Sequence, residues 1–180
     1  MSYKRWVLVA ILLFAIGIVF GLITPASLAP EAFAAFGELG DILASLPPIL
    51  PATVIFIKNA SVLLFNFALS PILCLIPVLT LTANGWLIAL ISATVAEEES
   101  LGLVLAALLP HGVIEIPALI LGEAAALSFG ATAILTLLRK RSGNQLLTSF
   151  QQNLKYLAVA LALLIPAAII ETYVTPLFLK

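Results

Sequence analysis

Crossing the roughly 30 Å hydrocarbon layer of a membrane takes about 20 apolar residues in a helix, and this chain offers such runs one after another. Residues 6–24, WVLVAILLFAIGIVFGLIT, carry no charge. Comparable stretches follow at 52–70, 72–96 and 156–179, and residues 101–138 run for 38 positions without a lysine or arginine. Composition agrees: the 180 residues are 63% hydrophobic and 9% charged, and mean hydropathy is +1.23, the proportions of an integral membrane protein. The longest polar run is the short RKRSGNQ, so residues 1–180 are expected to form a single integral membrane domain.

The spans are read as an all-α, polytopic transmembrane bundle with about five net crossings. A stretch of 38 residues is too long for one straight span and slightly short for two with a turn. Pro110 divides it, and the expectation is a broken or re-entrant helix, 101–109 then 111–138, bent again at Pro117. Residues 25–46 carry Glu31, Glu38 and Asp41 and read as an interfacial loop with a short helix. Residues 144–155 read as a polar interfacial helix ahead of the last span. Lys4, Arg5, Arg139, Lys140, Arg141 and Lys155 fall on one side in this scheme. The positive-inside rule then makes the N-terminus cytoplasmic and the C-terminus external, in a multi-pass protein of the cell membrane. KRWVLVAILL also has the form of a signal peptide, but the run is long enough to span and Pro30 would follow a cut after Ala29, so an uncleaved anchor is expected.

A net charge of −1 and the absence of a basic-aromatic groove argue against nucleic acid as a partner. Cys74 is the one cysteine; it excludes an internal disulfide and reads as an inert buried thiol.

The informative residues are the polar ones in the apolar runs, since an ionisable group near the bilayer centre costs about 2.5–3.5 kcal/mol and has to be hidden or paired. His111, the sole histidine, and Glu115 are four apart and share a helix face. Glu171, mid-way along the last span, is placed to meet them from another helix. Asn59 and Asn66 share a face of the second span, and Asn84 lies in the third; these asparagines complete an expected inward-facing polar core. Glu123 is off the His111 face and is expected as a lone protonated carboxyl or at an interfacial position rather than in that centre. Lys58 either snorkels or pairs with a core carboxylate.

His111, Glu115 and Glu171 amount to a three-ligand set for a divalent metal such as zinc, although HExxH and CxxC patterns are absent. The metal-free option is His111 and Glu115 as an acid-base pair, the only catalytic candidates, and mere structural pairing is the bland alternative. Gly17 and Gly21 form a GxxxG motif, for packing within the chain or between copies. Gly85 and Gly112 are read with Pro110 and Pro117 as places of close packing and helix interruption.

FIKNASVLLFN, then Asn84-Gly85, LLPHGVIEIPA and AAIIETYVTP together resemble the stage II sporulation protein M family from Ile55 onward. The resemblance marks Asn59, Asn84, Gly85, His111, Gly112, Glu115 and Glu171 as motif positions. Glu123 departs from it, as does the sparse glycine of residues 71–77. It implies a helical protein of about five spans and a scaffold role, since the member in spore-forming bacteria gathers cell-wall-degrading partners for forespore engulfment. Relatives in archaea and in bacteria without spores leave the task here open. Three expectations follow: a non-catalytic scaffold, homodimeric or recruiting other membrane and cell-envelope proteins; an intramembrane metal-dependent hydrolase; and a small-solute or ion transporter.

Overall fold

The computed structural model describes residues 3–25, 47, 49–72 and 74–178, and every regular element among them is α-helical. The helices are α1 (Tyr3–Ile23), α2 (Ile49–Leu69), α3 (Leu75–Glu98), α4 (Leu101–Leu137), α5 (Gly143–Tyr173) and α6 (Thr175–Phe178). The first five are long and apolar enough to cross a membrane, in agreement with the five expected spans. Most of the acidic segment expected as an interfacial loop, residues 26–46, lies outside the described residues.

Helix α4 corrects the expectation of a break. It runs unbroken through both Pro110 and Pro117. Each proline lacks the N–H that would bond the carbonyl four residues earlier, at Ala106 and Val113. A single lost bond is tolerated in a membrane helix when neighbouring helices and local adjustments re-satisfy the freed group. At 37 residues, α4 is about 55 Å long, well beyond the hydrocarbon thickness. Residues 144–155 form no separate interfacial helix either: they are the first turns of the 31-residue α5.

Helix α4 is the central pillar. Its Ala124, Ala125 and Ala126 have no exposed surface, and side chains this small let helices approach from several directions. On one side Ala118, Ala125 and Ala126 pack with Leu63 and Phe67 of α2 and with Leu157 and Leu164 of α5. On the other, Ala124 and Leu127 join Ala10 and Phe14 of α1 and Leu81 of α3.

Between α1 and α3 the approach is closest. A Cβ on Gly17 would run into the Thr82 backbone, and one on Gly85 would run into the Phe14 carbonyl oxygen. Gly21 packs against Trp86 and Ala89 in the same way. The GxxxG motif is therefore used inside the chain. Gly112 is buried, and the nearest atoms a Cβ there would meet are side-chain carbons of Leu108 and Ile116 of its own helix, at ordinary contact distance. Trp86 closes the far end of the α1–α3 pair by donating its indole N–H to Thr24 Oγ1 at 2.9 Å.

The α4–α5 turn is built from its termini. Arg139 N–H bonds the Thr136 carbonyl and Lys140 N–H bonds the Leu135 carbonyl, both at 2.9 Å, the paired pattern that satisfies the last carbonyls of a helix. The pattern requires a left-handed residue, and Arg139 supplies it at φ 57°. Ser142 then caps α5 in a reciprocal box with Gln145. Since a side chain in the left-handed region costs roughly 1–2 kcal/mol, Arg139→Gly is expected to stabilise the protein by about 1 kcal/mol, read from denaturant unfolding in detergent.

Candidate functional site

Two polar clusters lie along α4. The first joins three of the long helices and the short α6. His111 and Glu115 stand one turn apart on α4, with His111 Nε2 3.9 Å from Glu115 Oε2. Glu171 of α5 completes the group: one ligand-type atom from each of His111, Glu115 and Glu171 lies within 4.8 Å of the others. All three side chains are half-buried.

The surroundings orient these groups. Asn59 of α2 donates its carboxamide N–H to Glu115 Oε1 at 2.7 Å. His111 Nδ1 sits 3.3 Å from Thr175 Oγ1, and the Thr175 hydroxyl donates to the Ile170 carbonyl at 3.3 Å. A threonine hydroxyl has one proton. With that proton directed to Ile170, the contact is made by Nδ1–H donating to Thr175, and Nε2 turns its lone pair toward Glu115. The 3.9 Å separation is too long for a direct hydrogen bond. Lys58 of α2 is near enough for its charge to act on Glu171.

Chemically, the cluster offers one imidazole nitrogen and two carboxylates converging from two helices. Such a set can hold a divalent cation, with Asn59 and Thr175 as the outer groups that fix ligand orientation. Closed without an ion, it is a polar clasp between α2, α4, α5 and α6.

The second cluster lies deeper. Asn66 of α2 donates to Glu123 Oε1 at 2.6 Å and to Thr80 Oγ1 of α3 at 2.8 Å. Glu123 is 0% exposed, and its Oε2 has no hydrogen-bond partner. Glu123 lies outside the His111 group, as its helical phase requires; it is a buried carboxyl met by Asn66 where α2 reaches the adjoining face of α4, and the interfacial alternative is excluded. Spacing carried the signal: Asn59 to Asn66 is seven residues and Glu115 to Glu123 is eight, so parallel helices bring both pairs together. Thr80 and Thr175 were missed, since an isolated threonine in an apolar run marks nothing by itself.

Of the expected polar core, the structure brings Asn59 into the first cluster and Asn66 into the second. Asn84 joins neither: its Nδ2 donates to the Thr80 carbonyl of its own helix at 2.8 Å. A cavity of about 1040 Å³ opens at the end of the bundle where α1 and α5 begin and α4 ends, and none of His111, Glu115 or Glu171 lines it.

Comparison with known proteins adds a family. The family model described as stage II sporulation protein M matches residues 10–176. An uncharacterized protein of Methanocaldococcus jannaschii is 26% identical over 171 residues, which cover 94% of this chain and 93% of that protein. No solved structure matches the chain significantly.

Proposed function

The chain belongs to the stage II sporulation protein M family, and from that premise we propose that it is a non-catalytic membrane scaffold whose His111, Glu115 and Glu171 bind a divalent cation such as zinc. The scaffold recruits partner proteins of the cell envelope, with its N-terminus cytoplasmic and its C-terminus external. One observation carries the metal part: three ligand-type atoms converge within 4.8 Å while Asn59 and Thr175 hold Glu115 and His111 from behind. Zinc–ligand distances of about 2 Å place tetrahedral ligand atoms roughly 3.3 Å apart, so the three groups close in on the ion as it binds. The orientation rests on the cations at the start of α1 and around the α4–α5 turn.

The transporter expectation rests on a helix interrupted at Pro110 and on buried carboxylates, and the continuity of α4 removes the first of these supports. The dimer expectation drew in part on Gly17 and Gly21, which are occupied by α3.

Elemental analysis of the protein purified without chelator tests the metal site. About one divalent ion per chain is expected, lost in both His111→Ala and Glu115→Gln, with Asn59→Ala weakening affinity by roughly 10- to 100-fold. Wild-type protein that is metal-free and takes up no zinc on titration overturns the site. Mild solubilisation and mass measurement test the scaffold separately: envelope proteins co-purifying at a fixed ratio support it, and a chain that runs alone overturns it.

A further inference from the structure

The cavity at the other end of the bundle has a chemistry of its own. It is lined by Tyr3 and Trp6 from α1, by Ser128, Thr132 and Leu135 among others of α4, by Lys140 and Arg141 of the turn, and by α5 as far as Lys155 and Tyr156. Three cations face it, and no carboxylate stands among the described residues that line it. Lys155 matters most to the argument. Lys140 and Arg141 directly follow the end of α4, where cations commonly complement the helix dipole, but Lys155 comes from the fourth turn of α5 and serves no such role.

Arg141 is held in place, its Nη1 donating to Thr132 Oγ1 at 3.1 Å, and the backbone that presents it is fixed by the left-handed Arg139. Gln145, Ser149 and Gln152 add neutral donors and acceptors to the lining. Tyr3 and Tyr156 stack with ring centroids 3.5 Å apart and planes within 3°, and the Tyr3 hydroxyl donates to the Leu121 carbonyl at 2.8 Å, so one wall is rigid and aromatic. Tyrosine, tryptophan and basic residues together are the side chains that populate the boundary between lipid and water.

We propose that this cavity binds a phosphate-bearing anion, with Lys140, Arg141 and Lys155 neutralising the phosphate and the Tyr3–Tyr156 stack and Trp6 flanking the group it is attached to. Basic pockets at the end of a helical bundle are suited to lipid phosphates, and the volume of about 1040 Å³ admits a whole headgroup. A lipid headgroup and a soluble phosphate ester present the same chemistry to these cations.

Native mass spectrometry of the full chain in detergent, with short-chain phosphatidylglycerol and short-chain phosphatidylcholine as probes, reads the preference directly. At least tenfold tighter binding of phosphatidylglycerol is expected, falling by roughly three- to tenfold in each of Lys140→Gln, Arg141→Gln and Lys155→Gln. Lys4→Gln with Arg5→Gln, removing cations that do not line the cavity, is expected to leave the preference intact. Glycerol 3-phosphate as competitor separates the sources: displacement at micromolar concentration assigns a soluble ester, and no displacement at millimolar concentration assigns the lipid. Equal binding of the two lipids with no binding of glycerol 3-phosphate overturns the proposal. So does a preference lowered as much by the Lys4 and Arg5 changes as by the cavity changes.

Discussion

Leucine in place of Gly85 is expected to destabilise the protein by about 3 kcal/mol or more, the upper part of the range for forced overpacking. The reason is the identity of the obstructing atom. A Cβ at position 85 would fall on the Phe14 carbonyl oxygen, part of a helix backbone that cannot turn aside as a side chain can, so α1 has to retreat from α3. Retreat is expensive here because helix association inside lipid depends on close van der Waals packing, without a hydrophobic drive between helices. It also carries Thr24 away from the Trp86 indole. Denaturation by sodium dodecyl sulfate, followed by circular dichroism, measures the loss. Gly112→Ala is the control, expected within about 0.5 kcal/mol, since its Cβ would meet nothing closer than 3.6 Å. Equal midpoints for Gly85→Leu and wild type would show that α1 and α3 are not packed backbone to backbone.

Asn66→Leu is expected to cost about 3 kcal/mol, and Asn66→Leu combined with Glu123→Leu to recover most of it. Asn66 is the hydrogen-bond donor to Glu123 Oε1, and Oε2 already has no partner. Removing the asparagine leaves a fully buried carboxyl with neither oxygen satisfied. Stranding one buried polar partner costs about 1–3 kcal/mol, more when the group is charged, whereas replacing both partners with apolar groups of similar shape can be nearly neutral. The Thr80 hydroxyl also loses its contact with Asn66, which places the single change at the upper end of the range. The double-mutant cycle is decisive because it isolates the coupling: additive losses in the two single variants would mean that Asn66 and Glu123 do not depend on each other.

The five spans were legible because hydrocarbon imposes a length on any helix that crosses it, and residues such as 6–24 meet that length without a charge. The continuity of α4 was not legible. Proline chemistry at positions 110 and 117 argues for interruption, and a one-dimensional reading cannot tell a lost hydrogen bond that a helix absorbs from one that breaks it. The same contrast runs through the candidate site. His111 and Glu115 were found together by helical spacing, a local property, and Glu171 by its isolation in an apolar span. The partner of Glu123 was not legible, because it comes from α2. Helical phase on α4 alone puts it off the His111 face, and that is correct, but Asn66 comes to meet it there. Asn84 shows the converse, since an asparagine in mid-span can turn an N–H to its own helix backbone rather than to another helix.

The two asparagine–carboxyl contacts have a consequence for descent. Asn59 meets Glu115 and Asn66 meets Glu123, about 11 Å apart along each helix by the rise per residue, so they act as two rungs that a slide of one residue would break together. Drift at either rung is then constrained to joint replacement. Across diverging lineages, position 66 is expected to covary with position 123 and position 59 with position 115, and an alignment in which these pairs change independently would show that the rungs place no demand on inheritance.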